Sequence, residues 1–96
     1  MIESFGDPAT EDLFHGRQTQ RVRRFSAGML RVALRKLDMV NTAHRLQDLL
    51  VPPGNRLEAL KGDLQGFYSI RVNDQWPIVF RWSEHAAHQV SLTDYH

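Results

Sequence analysis

The sequence predicts an α+β domain with helices packed on one face of an antiparallel sheet, and three observations lead there. Apolar residues recur at three- and four-residue steps through Val22, Phe25, Met29, Val32, Ala33, Leu37 and Val40, the spacing of an amphipathic helix. After Asn55 they alternate instead, most clearly at Trp76, Ile78, Phe80 and Trp82, the spacing of a strand with one covered face. Between the two patterns, "VPPGN" places two prolines and a glycine where no helix continues. At 96 residues, 42% of them hydrophobic, the chain can bury one modest core, so residues 1–96 are expected to form a single domain.

The elements follow in order. "MIESF" is short, alternating and closed by Gly6 and Pro8, which predicts a brief opening strand. Thr10 is expected to cap a first helix, with Glu11 and Asp12 in the turn where the dipole favours acids, and Gly16 to end it. A long amphipathic helix runs from about Gln20 to Val40 with its arginines outward, and Asn41 or Thr42 caps a shorter third helix through "AHRLQDLL". Four strands remain, in "RLEAL", "FYSIRV", "WPIVFRW" and "HQVSLTDY", joined by a glycine-bearing loop, by Asn73–Asp74 and by a turn near Glu84. Short connections make them an antiparallel meander. One sheet face is covered by the helices and the other is left for function.

Composition narrows the chemistry. Without cysteine there is neither a disulfide framework nor a thiolate metal site, and the cytoplasm is the expected compartment. The acidic N-terminus does not suit a signal peptide, and no apolar run approaches the ~20 residues of a membrane span. Net charge is only +1, but between Arg17 and Leu37 stand Arg17, Arg21, Arg23, Arg24, Arg31, Arg35 and Lys36 with no acid among them. Such a run is a solvated helix face, a surface for an acidic protein, or a phosphate-binding face.

"PPGNRLEALKGD", "YSIRVNDQW", "FRW" and the terminal "DYH" together resemble the HigB-type toxins of bacterial toxin-antitoxin modules, in the RelE/ParE superfamily, over the whole of Met1–His96. The resemblance implies a RelE-like fold and a messenger-RNA interferase that cuts the message on the translating ribosome. The RNA's own 2′-hydroxyl attacks the adjacent phosphorus and no metal or other cofactor is used. It also implies a helix-turn-helix antitoxin of the HigA type as partner, with operator DNA contacted only through that antitoxin, and gives the basic run a role against ribosomal RNA through Arg17, Arg21, Arg24, Arg31 and Arg35.

Such a reaction needs a proton acceptor at the 2′-oxygen, cationic donors around the phosphate and a proton donor for the leaving oxygen. By resemblance, Lys61 is the family lysine that neutralises phosphate charge, and Asp94, Tyr95 and His96 are the terminal active-site residues. Tyr95 is suited to stack on a base or donate to phosphate, His96 to transfer a proton, and Asp94 to orient either neighbour. Two positions depart from the family pattern. Glu58 stands where some members carry histidine; a carboxylate there accepts a proton but repels phosphate. Pro77 replaces the arginine that usually follows the tryptophan of "QW", which removes a guanidinium, and Arg81 or Arg71 is the candidate replacement.

Other constellations carry less. Glu84, His85 and His88 fall in a turn and lack a fourth ordered partner for a metal, and Trp76 and Trp82 share an alternating face with Ile78 and Phe80, which assigns them to the core. Superfamily relatives that poison DNA gyrase do without the lysine and the terminal acid and base, which argues against that activity here. A catalytically weak module kept for binding antitoxin is the other alternative, and Pro77 favours it.

Overall fold

A computed structural model describes residues 1–94, so Tyr95 and His96 lie outside the described residues. Helices α1 (Pro8–Phe14), α2 (Gln20–Arg23) and α3 (Ala27–Thr42) precede strands β1 (Glu58–Ala59), β2 (Phe67–Arg71), β3 (Pro77–Ser83) and β4 (Ala86–Leu92). The strands form one antiparallel sheet in the order β1-β2-β3-β4, the expected meander. Helices α1 and α3 pack on one face through Leu13, Ala33, Leu37 and Val40, which meet Ile70, Ile78, Phe80, Val90 and Leu92.

Four local expectations are corrected. Asp7, and not Thr10, caps α1, because its carboxylate accepts from Thr10 N (2.8 Å) while Pro8 supplies the first helical φ. Thr10 is buried inside the helix, where its hydroxyl accepts from Leu92 N (2.8 Å) and so ties β4 to α1. The long helix is broken at Arg24–Ser26, because Ser26 caps α3 through Met29 N (3.2 Å) and restarts the hydrogen-bond ladder. The third helix is a 3₁₀ turn, Leu46–Leu50, and Asn41 and Thr42 belong to α3. There Asp48, not Asn41 or Thr42, accepts from His44 N and Arg45 N, with its pKa lowered first by the Arg45 and then by the His44 backbone bond.

The opening segment is not a full strand. It lies parallel to β4 and touches it through isolated bridges, Ile2 with Ala87 and Phe5 with Val90. The ladder is interrupted because β4 bulges at Gln89, whose φ of 53° is left-handed, and Ser4 Oγ accepts from Gln89 N (2.9 Å). Gly6 permits the approach, since a Cβ there would stand 3.0 Å from the Gln89 carbonyl oxygen.

Lys36 corrects the picture of an outward basic run. With Ala33, Leu37 and Val40 it forms the buried stripe of α3, and its ammonium donates to Asn55 Oδ1. Asn55 is fully buried and also donates to Leu49 O (3.2 Å) and Val51 O (3.4 Å), so this pair pins the proline-rich segment to α3. Burial lowers the Lys36 pKa from 10.5, and the nearby Arg35 and Arg71 charges push the same way. An unfolded chain keeps that proton to higher pH than the folded one, so Lys36 makes stability rise with pH between its folded pKa and 10.5. Lys36→Met is expected to cost about 1–3 kcal/mol near neutral pH by orphaning Asn55 Oδ1. It should also flatten the rise toward alkaline pH, as read by urea unfolding across that range.

Candidate active site

Residues directly opposite one another in neighbouring strands share a sheet face. On the face away from the helices the register therefore sets Glu58, Ser69, Val79 and Ser91 in one row and Arg71 opposite Pro77 in the next. An open cleft of about 310 Å³ lies over these rows, lined by Arg56, Glu58, Ser69, Arg71, Gln75 and Pro77 among others. Asp94 adjoins it. The pairing of β3 and β4 continues past Leu92 through Thr93 N to Pro77 O (3.2 Å), and Gln75 Nε2 donates to Asp94 Oδ2 (3.1 Å). The register and the Thr10 tie thus hold Leu92 and Thr93 at the Pro77 end of the sheet.

The cleft brings together two of the expected residues, Glu58 and Arg71, and Gln75 on its rim bonds to Asp94, which lines a neighbouring hollow with Arg21, Arg24 and Trp76. Arg71, about one-third exposed, pairs with Asp74 from the turn between β2 and β3. It stands directly opposite Pro77 in the β2–β3 register. Arg81 pairs with Phe67 at the other end of β2, four residues or about 13 Å along the strand. There its guanidinium lies 4.4 Å from the Phe67 ring centroid and donates to Gln89 Oε1 (3.0 Å). Lys61 stands at that same end, exposed, just after β1, with Leu60 N bonded to Phe67 O (2.9 Å). The face thus holds an Arg71 cluster at one end and a Lys61–Arg81 pair of cations toward the other.

Arg56 was not anticipated from the sequence. It follows the proline-rich segment pinned by Lys36 and Asn55, adopts a left-handed φ of 47°, and lines the cleft beside Glu58. An arginine held in that conformation is strained, a condition that clusters where the chain has a task. Its only signal was its position directly after "PPGN".

The basic run divides. Arg17 and Arg21 donate to Asp12 (3.3 and 3.4 Å), which Thr19 also bonds (3.0 Å). Burial works against the Asp12 carboxylate, but these hydrogen bonds outweigh it and hold its pKa below the usual value. Arg21 and Arg24 border a hollow that contains Asp94, Arg17 and Arg31 rim a groove with Leu30 and Leu34, and Arg35 is exposed on α3. His85 and His88 contact the carbonyls of His44 (3.2 Å) and Ser83 (3.4 Å). Trp76 and Trp82 are both half-buried and packed against the core, Trp82 on Phe80, and Trp76 also borders two hollows.

Compared with known families, residues 3–96 match the model described as the RelE-like toxin of the type II toxin-antitoxin system HigB. The chain belongs to this family. Its sequence is 40% identical over 87 residues to Toxin HigB-1 of Vibrio cholerae serotype O1, covering 91% of this chain and 90% of that protein. A chain of the YoeB-YefM complex from Staphylococcus aureus matches the fold with a TM-score of 0.62 at 18% identity, covering 100% of this chain and 98% of that one. A structure of the YoeB dimer from the same organism gives 0.61 at 20% identity, with 99% and 97% covered. This HigB-type chain is therefore a toxin of a type II toxin-antitoxin system with the RelE-like fold. Among the described residues, no helix is long and apolar enough to cross a membrane.

Proposed function

We propose that this toxin is a ribosome-dependent endoribonuclease that cuts messenger RNA during translation in the cytoplasm, with the cleft over β2 and β3 receiving the scissile phosphate. The observation that carries this reading is the convergence of Arg56, Arg71 and Glu58 in one cleft, with Gln75 on its rim bonded to Asp94, the residue that precedes Tyr95 and His96 in sequence. The 2′-hydroxyl loses its proton as its oxygen bonds to phosphorus, the bond from phosphorus to the 5′-oxygen breaks, and that oxygen takes up a proton. A cyclic phosphate and a free 5′-hydroxyl result, with no redox change and no metal required. Arg71 and Arg56 stabilise the charge that builds on the phosphate, and Lys61 and Arg81 meet the RNA backbone farther along the face. His96 and Glu58 exchange the two protons, Tyr95 holds the adjoining base and Asp94 orients the tail.

Arg24, Arg31 and Arg35, with the outer parts of Arg17 and Arg21, dock the toxin on ribosomal RNA. A helix-turn-helix antitoxin of the HigA type restrains it and alone contacts operator DNA. One observation favours a slower enzyme: Pro77 brings no guanidinium, and its neighbour Arg71 is shared with Asp74. Mapping message ends in cells that express the toxin, with and without active translation, tests the proposal. New ends that require translation support it.

A further inference from the structure

Trp76 sits at the junction between the active-site cleft and the helical layer. Its backbone is fixed, since Trp76 N donates to Asn73 Oδ1 (2.8 Å) and its carbonyl accepts from Val72 N (3.0 Å). Its neighbour Gln75 reaches Asp94. From the other side, the break between α2 and α3 turns Phe25 onto Trp76, edge to face, with ring centroids 5.0 Å apart at 87°. The Arg24 guanidinium lies 5.0 Å above the Phe25 ring. Trp76 and Arg24 border both a hollow of about 410 Å³ with Phe25 and Met29 and one of about 480 Å³ that reaches Asp94.

The chemistry of this patch is that of a single-stranded nucleic-acid site. A nucleobase stacks on a held aromatic ring, while guanidinium groups beside it meet the phosphates on either side. The two carboxylates at the patch are otherwise engaged: Asp7 caps α1 through Thr10, and Asp94 accepts from Gln75. Arg21 is partly drawn to Asp12, whereas Arg24 forms no ion pair among the described residues. The helix break also gains a purpose, since an unbroken helix would carry Arg24 and Phe25 along a different line.

We propose that Trp76, Phe25 and Arg24 form a base-stacking subsite for the message nucleotide next to the one being cut. This rests on the interferase reading for its substrate, but it is tested on the isolated toxin without cleavage. Because the sequence holds two tryptophans, Trp82→Phe leaves Trp76 as the sole tryptophan, excited selectively beyond the tyrosine absorption. That protein is titrated with a short 2′-O-methyl oligoribonucleotide, which cannot be cut, and with an abasic oligomer of equal length.

The expected result is saturable quenching by the base-bearing oligomer alone. Its affinity, read by the anisotropy of a dye-labelled oligomer, should fall about five- to a hundredfold in Trp76→Leu, the range for one stacked base, and severalfold in Arg24→Gln. Absent quenching, or equal quenching by the abasic oligomer, overturns the proposal. If Trp76→Leu does not fold, the titration of the Trp82→Phe protein still decides. The two readings fail separately: quenching without ribosomal cleavage leaves the subsite and removes the interferase, and cleavage without quenching does the reverse.

Discussion

Removing Tyr95 and His96 is expected to lower cleavage on programmed ribosomes by about two to four orders of magnitude, the contribution of positioned proton transfer. Gln75, on the rim of the cleft, bonds to Asp94, and the β4 pairing extends to Thr93 and Pro77, so the described chain reaches the Pro77 end of the sheet just before these two residues in sequence. His96→Gln separates the proton from the bulk of the side chain. A truncated toxin that cuts at the parental rate would make the terminal triplet a mere chain end.

Arg71→Ala should raise the barrier by about 2.7–4 kcal/mol, or roughly a hundred- to a thousandfold in rate, the scale for one preorganised donor. The register is the reason: among the expected replacements for the missing arginine, Arg71 alone stands opposite Pro77. Pro77→Arg should raise cleavage in the parent and recover most of the loss in Arg71→Ala, since either guanidinium then serves the same row. Arg81→Ala should matter less, because Arg81 is stacked on Phe67 at the far end of the face. Cleavage rates of the four proteins on one message, together with the double variant, read these effects. A larger loss from Arg81 than from Arg71 would shift the phosphate to the Lys61 end.

The meander was legible because alternation in "WPIVFRW" and the turn formers at Asn73 and Asp74 admit only one register of faces, and the observed β2–β3 pairing keeps it. The helix break was not, since Phe25 and Met29 stay in phase across it and Ser26 is as compatible with a helix interior as with a cap. Lys36 was misplaced for a simpler reason. Counted by charge it joined the arginines, yet its spacing from Ala33, Leu37 and Val40 already set it on the buried stripe. Glu58 was named through the resemblance, parity along β3 named Arg81, and Arg71 was named as a residue of the neighbouring strand, whereas Arg56 depends on a left-handed backbone that no local pattern announced. The division of the basic run arises from Asp12, which stands outside the run in sequence and beside it in space.

The most direct measurement is the mapping of 5′ ends on a defined message incubated with the purified toxin, with and without translating ribosomes. Ribosome-mediated cutting within the coding frame predicts new ends that bear a 5′-hydroxyl, appear only when ribosomes are engaged, and decline in Arg71→Ala and in the tail truncation. An intact message on translating ribosomes, or equal cutting of the naked RNA, would contradict it.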